Sequence, residues 1–236
     1  MPSIQEEFIK KMNIEDLERI NAYARDLASG LKLVRTFPQG VTIFGSARLP
    51  QDSKYCEMAR QLGEGLAKNG HAVITGGGPG IMEAASKGAY EIGGRVIGFN
   101  ITLRHEQFPN PYLSECYTFE YFFARKVSLA MAAKVFVFFP GGFGTMDELS
   151  EILCLMQENK MPKMPVFLVG ADYWTAFDQV IKQMIELGLV AKNDAGIFKI
   201  TDNVQDVIDA ANKIGWPKIS ENFYDGFKEA RAIAES

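Results

Sequence analysis

An α/β fold built on a parallel, doubly wound sheet is predicted by three features of the sequence. Short apolar runs of strand length alternate with longer segments of helical periodicity, the order that gives parallel strands joined by right-handed crossovers. The short runs, such as Val135 to Phe139, are apolar throughout and do not alternate, as expected of strands whose sheet is covered by helices on both faces. Three of these runs end in a glycine-bearing loop that leads into a helix, at Gly45-Ser46, at Gly76 to Gly80 and at Gly141 to Gly144. The fold is therefore Rossmann-like. Ligands of such sheets bind outside the carboxyl ends of the strands, where the strand order reverses.

The elements follow in order. Ahead of the first strand, Ile14, Leu17, Ile20, Tyr23, Leu27 and Leu31 recur at spacings of three and four, one apolar stripe along a helix. Residues 1–37 are read as an N-terminal helical extension that either caps the sheet or packs on a second subunit, 38–216 as the Rossmann-like domain, and 217–236 as a C-terminal tail. Strands are expected over 41–44, 72–75, 95–99, 117–120, 135–139 and 165–169, and helices over 53–68, 81–92, 122–133, 145–158, 174–187 and 204–214. Asn69-Gly70 and Gly93-Gly94 supply the stops after the first two core helices.

Composition narrows the function classes. The chain has 236 residues, 47% hydrophobic and 23% charged, enough apolar surface to order a core. Its 25 basic and 29 acidic side chains give a formal net charge of −4, and no basic run is present, so a nucleic-acid polymer is not the expected partner. No apolar stretch reaches the roughly 18 residues that span a bilayer, and Met1 to Lys11 lacks the apolar stretch of a secretory signal, so no membrane contact is expected. Three cysteines, Cys56, Cys116 and Cys154, are odd in number and show no CxxC spacing, which suits reduced thiols in a cytoplasmic protein. Two histidines, His71 and His105, are too few for a histidine metal cluster, and His71 opens an apolar strand where it is expected simply to pack.

The chemistry is expected in the strand-to-helix loops. Glycine there lets backbone N–H groups approach an anion, and the following helix adds the positive end of its dipole. Tight turns explain one glycine per loop, whereas two separate clusters favour anion binding. A dinucleotide fingerprint fails: counted from Gly76, Ile81 stands where the third glycine belongs, and counted from Gly45, Ala47 breaks the pattern. No Gly-Lys-Ser/Thr follows either cluster, so a Walker loop fails too. A mononucleotide or sugar-phosphate site remains. Glu148 falls in the first turn of a helix taken to begin at Thr145, beside the expected phosphate, where an acid could also serve only to complement the helix dipole, as could Asp147. Arg125-Lys126 interrupts an otherwise apolar helix, either as a solvated face or with the arginine turned toward the loops.

Pro140-Gly141-Gly142-Phe143-Gly144-Thr145-Met146-Asp147-Glu148 resembles the P-G-G-x-G-T-x-x-E signature of the LOG (Lonely Guy) family, and Arg125-Lys126 resembles the Arg-Lys pair that precedes it. Gly76-Gly77-Gly78-Pro79-Gly80-Ile81-Met82 is similar to the family's G-G-G-x-x-G-x-M loop with the fourth glycine one place early, and Gly45-Ser46 is similar to its first-strand turn. The likeness covers about residues 40–190. It implies a phosphoribohydrolase that splits nucleoside 5′-monophosphates, notably cytokinin ones, into free base and ribose 5-phosphate, in a family often mislabelled lysine decarboxylase. It implies catalytic roles for Arg125 and Glu148. It assigns substrate binding to Gly45, Ser46, Gly77, Gly78, Glu106, Lys126, Gly141, Gly142, Phe143, Gly144 and Thr145, with neither metal nor organic cofactor. It also implies a homo-oligomer, a dimer or a hexamer. Phe123 stands where plant-type members carry a histidine, Glu83 where a glycine is common and Cys154 where a threonine is common, and the N-terminal helix is extra, which points to a longer bacterial-type branch.

In such a site the glutamate would stabilise oxocarbenium character on the ribose and orient or deprotonate water, and the arginine would either hold it ionised and in place or balance charge around the phosphate and the leaving base. Two other readings compete. One is a nucleotide-binding or carrier protein without catalysis. The other is a pyridoxal-phosphate decarboxylase, which needs a Schiff-base lysine, and Lys126, Lys134, Lys160 and Lys163 stand in no recognisable cofactor context.

Overall fold

The structure is a computed structural model and describes residues 13–36, 40–103 and 108–214. Among them are seven strands, β1 Gly40–Phe44, β2 Ala72–Thr75, β3 Val96–Ile101, β4 Glu115–Phe119, β5 Ala133–Phe138, β6 Val166–Val169 and β7 Phe198–Thr201. The helices are α1 Ile14–Val34, α2 Lys54–Lys68, α3 Ile81–Tyr90, α4 Phe122–Ala132, α5 Phe143–Gln157, α6 Ala171–Glu186 and α7 Val204–Lys213, with a 3₁₀ turn at Lys192–Gly196. All strand pairs are parallel, in the order β4-β3-β2-β1-β5-β6-β7. The chain works outward from β1 to β4 and then returns to the other side of β1 with β5. The strand order therefore reverses between β1 and β5, and a crevice opens there at their carboxyl ends.

Both faces of the sheet are covered, as the apolar strands require. In β1, Val41 and Ile43 pack with Leu62 and Leu66 of α2, Ala85 of α3 and Val207 of α7. Phe44 belongs to the opposite layer with Leu129 of α4, Leu149 of α5 and Trp174 of α6, and its ring stacks on Phe138 of β5 at 4.6 Å. The two-residue period of a strand thus sends neighbouring side chains into two separate cores. Local sequence sets the helix ends. Ser53 caps α2 by accepting from the Cys56 N–H at 3.2 Å, and Asn13 and Asp16 form a capping box on α1.

The extra helix α1 packs on α4 and β4. Its Asp26 is buried and accepts from the Tyr117 hydroxyl at 3.2 Å and from the N–H groups of Glu120 and Tyr121 at 3.2 and 3.0 Å. This carboxylate occupies the uncapped start of α4, where a negative charge is favoured. Only part of the apolar stripe is used: Leu27 packs against the core, whereas Ile14, Leu17 and Ile20 are exposed.

Several boundaries differ from the sequence expectation. β5 begins at Ala133, two residues early, because α4 ends at Ala132 with no intervening loop. β4 covers Glu115–Phe119 and alternates between half-buried and exposed residues, as befits an edge strand. β7 and the 3₁₀ turn were not expected. β7 is a four-residue edge strand carrying Lys199, too short and too polar for an apolar-run criterion. The C-terminal tail at 217–236, the first twelve residues and Glu106 lie outside the described residues.

Candidate active site

The crevice between β1 and β5 holds a pocket of about 590 Å³. Its floor is the end of β1 with Gly45 and Ser46, and one wall is the start of α5, formed by Gly142, Phe143, Gly144 and Thr145. Arg125 of α4 and Glu148 of α5 complete the polar lining, beside Arg48, Gly76 and Met82. Backbone hydrogen bonds tie the walls together. The Ser46 N–H donates to Pro140 O at 3.0 Å, and the Ile81 N–H at the start of α3 donates to Ser46 O at 3.0 Å. From outside, the Tyr173 hydroxyl donates to Gly141 O at 2.6 Å and holds the loop after β5.

The start of α5 differs from the sequence expectation in a way that matters. The helix begins at Phe143, not at Thr145, so the glycine loop forms its first turn. Glu148 and Asp147 therefore lie beyond the first turn, which contains no acid. Dipole complementarity is a first-turn effect and cannot be the reason for Glu148. No side chain caps this helix, and the residues that carry its first N–H groups, Gly142 to Thr145, line the crevice.

Glycine at 142 and 144 has no conformational reason. Neither residue has a positive φ, and a β-carbon built on either would meet nothing within 4 Å. Neither turn strain nor packing calls for glycine here, and its presence leaves the backbone open on the pocket. The second cluster behaves differently. Gly80 has φ +67° and would press a β-carbon on the backbone of Ser46 and Ala47, a close approach between two loops. Gly77 O and Gly78 O accept from the N–H and side-chain amide of Asn110 at 2.8 and 3.0 Å, so this loop is turned into the protein. Only Gly76 of this cluster lines the pocket.

Arg125 is anchored before any ligand binds. Its Nε donates to Phe99 O at 2.6 Å, its Nη2 to Gly76 O at 3.3 Å, and its Nη1 lies 3.8 Å from Glu148 Oε1. Both side chains are largely buried, 11% and 16% exposed. Burial raises the Glu148 carboxyl from 4.5 to about 7, against the pull of Arg125, which is the smaller effect. The arginine therefore does not hold the glutamate fully ionised at neutral pH, as the sequence reading had it. Burial also lowers the pKa of Arg125, with Glu148 opposing.

Of the residues expected in the site, Gly45, Ser46, Arg125 and Glu148 meet in one pocket with the turn at 142–145. Phe143 lines it with its ring 96% exposed. Gly77, Gly78 and Gly141 support the walls from behind. Lys126 is drawn away: its Nζ is 2.9 Å from Asp147 Oδ2 and 2.8 Å from Glu151 Oε2. Arg48 and Met82 were not singled out as site residues. Arg48 could have been noticed as the one cation that directly follows the first-strand turn.

Among the described residues no group of three or more His, Cys, Asp or Glu side chains is placed to hold a metal, and no helix is long and apolar enough to cross a membrane. The three cysteines are separate free thiols.

A family model described as possible lysine decarboxylase matches residues 82–211, a span that contains Arg125 and the loop through Glu148. The cytokinin riboside 5′-monophosphate phosphoribohydrolase LOG5 of Arabidopsis thaliana is 25% identical over 181 residues, 75% of this chain and 79% of that protein. The enzyme of the same name from Mycobacterium marinum is 27% identical, over 70% of this chain and 89% of its own. Among solved structures, TM1055 superposes with a TM-score of 0.56 at 27% identity, covering 75% of this chain and 99% of that one. A molybdenum cofactor carrier protein from Chlamydomonas reinhardtii shares the fold with a TM-score of 0.52 at 24% identity, covering 74% and 96%. With more than half of its length matched, and with that span's arginine, glutamate and glycine turn gathered at one pocket, the chain belongs to the family described as possible lysine decarboxylase, the LOG family.

Proposed function

We propose that the pocket hydrolyses the N-glycosidic bond of a nucleoside 5′-monophosphate, releasing the free base and ribose 5-phosphate. The observation that carries this reading is the placement of one buried carboxyl, Glu148, a turn beyond an uncapped, glycine-lined helix start. The first amides of α5 take the phosphate, where a helix N-terminus favours an anion. The ribose then lies deeper, toward Glu148. As the C1′–N bond breaks, its electron pair leaves with the base and positive charge develops on the sugar. The ionised Glu148 stabilises that charge and accepts a proton from the attacking water, which then passes to the departing base, directly or through solvent, and restores the carboxylate. Arg125, fixed by two backbone carbonyls, positions Glu148 and restrains its pKa.

The named relatives that act on cytokinin nucleotides support the reaction class at modest identity, so purine and cytokinin monophosphates are the substrates to try first. Incubation with AMP followed by chromatography tests the reading directly. Adenine appears with the wild-type chain and not with Glu148→Gln; binding of AMP with no adenine released would leave the carrier reading in its place, as in the cofactor carriers of this fold.

A pyridoxal-phosphate decarboxylase does not fit these residues. Among the described residues, no lysine lines the pocket. Lys126 is held by two carboxylates, and Lys134 is sealed at the amino end of the sheet, opposite the crevice.

A further inference from the structure

We infer that Arg48 is the phosphate-specificity residue of the pocket, the cation that makes the site select a phosphate monoester over the corresponding unphosphorylated sugar. The inference rests on the reading above and adds a residue to it.

A charge inventory of the pocket leads to Arg48. Among the described residues, three charged side chains line the pocket: Arg48, Arg125 and Glu148. The guanidinium of Arg125 is engaged on three sides by Phe99 O, Gly76 O and Glu148. Turning it to a phosphate would strip two buried carbonyls of their donors and remove the partner of a buried acid, each unfavourable. Lys126 is paired with Asp147 and Glu151 and does not line the pocket. Among the described residues, Arg48 is then the cation left to neutralise a doubly charged phosphate at the α5 amides.

Arg48 has the required properties. It lines the pocket and is exposed, and among the described residues no ion pair or side-chain hydrogen bond engages its guanidinium. Its backbone is fixed: the Arg48 N–H donates to Ser46 Oγ at 3.0 Å, and Ser46 is itself tied to Pro140 O of the loop before α5 and to the Ile81 N–H of α3. The residue is thus anchored in the same pocket as the start of α5, with a planar fork of donors that matches a phosphate in two-point contact.

The test uses the full chain and separates the phosphate contact from catalysis. Ribose 5-phosphate and ribose, which cannot turn over, are titrated calorimetrically into wild type, Arg48→Ala and Arg48→Lys, and AMP hydrolysis is followed in parallel. A charge-assisted contact is worth about tenfold to a hundredfold in affinity. Arg48→Ala is expected to weaken ribose 5-phosphate binding by that factor, to leave ribose binding unchanged, and to raise KM for AMP with kcat within about threefold of wild type, the pattern of lost uniform binding. Arg48→Lys should recover part of the loss. Equal ribose 5-phosphate affinity in wild type and Arg48→Ala overturns the inference even if AMP is hydrolysed. A phosphate-dependent loss in Arg48→Ala with no hydrolysis by wild type upholds it and overturns the proposed reaction. No binding of ribose 5-phosphate by wild type overturns both.

Discussion

Glu148→Gln tests the central electrostatic feature of the site without relying on turnover alone. The Glu148 carboxyl is raised from 4.5 to about 7, chiefly by burial. For an acid, a raised pKa means that the folded chain holds a proton which the unfolded chain has released. Stability therefore falls as pH rises from about 4.5 to about 7, and above that range the ionised carboxylate costs the fold about 3 kcal/mol. Glutamine has nearly the same shape and does not titrate, so it mimics the protonated acid at every pH. The variant should match wild type near the bottom of that window and exceed it above neutrality. For a chain of this size, about 3 kcal/mol corresponds to roughly 6–12 °C in Tm. Differential scanning calorimetry on both proteins across the window reads the gap. In the same variant, turnover of AMP should fall by about 10²–10⁴-fold, the usual contribution of a positioned acid or base, and wild-type kcat/KM should rise with pH through about 7 as the carboxyl ionises. A Tm difference that stays constant with pH would refute the argument, because it would mean that Glu148 already ionises at its ordinary value in the fold.

Arg125→Met removes the charge that lowers the Glu148 pKa, so the acidic limb of the kcat/KM profile should move to higher pH, with Arg125→Lys moving it less; a limb that stays in place in Arg125→Met would show that the two side chains are not coupled. Gly144→Ala should leave Tm unchanged or slightly higher, because its β-carbon meets nothing within 4 Å, yet raise KM for AMP at least tenfold, whereas Gly80→Ala should lower Tm outright, since φ is +67° and the Ser46 and Ala47 backbone fills the space. Equal KM for Gly144→Ala and wild type would remove the ligand as the reason for that glycine. The exposed rings of Phe122, Phe123 and Phe143 lie on α4 and at the start of α5, and a dimer or hexamer mass is expected by light scattering, with a monomer as the refuting result.

The architecture was legible because it depends on patterns that survive averaging. Central strands such as β1 and β5 are apolar on both sides and announce a covered parallel sheet. The edge strands β4 and β7 touch a core mainly on one side, tolerate Lys199 and Glu115, and lose that signal. The site was legible as a motif more than as geometry. Arg125, Glu148 and the turn at 142–145 meet as their residue types suggested, but no spacing reveals that Lys126, next to Arg125, faces outward to two carboxylates, because adjacent helix residues point about 100° apart. For the glycines at 142 and 144 the sequence favours anion binding but leaves a tight turn as the competing reason, and the structure shows that their backbone is unstrained and their surroundings open.

The two ends of the sheet differ in how completely their buried charges are matched. At the amino end, Lys134 is 1% exposed, and its Nζ has an acceptor for each of three N–H bonds: His71 Nδ1 at 3.2 Å, Ala211 O at 2.8 Å and Ile214 O at 3.5 Å. His71 in turn contacts Asn212 Oδ1 through Nε2 at 2.8 Å, which leaves Nδ1 as the acceptor and the imidazole neutral, in keeping with a pKa lowered by burial. That ammonium is fully matched and closes the last carbonyls of α7, as a cation at a helix C-terminus does. At the carboxyl end, the helix start at Phe143 has no cap, Glu148 has a single cation at 3.8 Å, and Arg48 has no acidic partner among the described residues. A fold gains nothing by leaving donors, an acid and a cation incompletely matched around one cavity. On the proposed reading, a phosphorylated sugar would supply what each of them lacks: acceptors for the amides, a dianion for the guanidinium of Arg48, and a developing positive charge for the carboxylate.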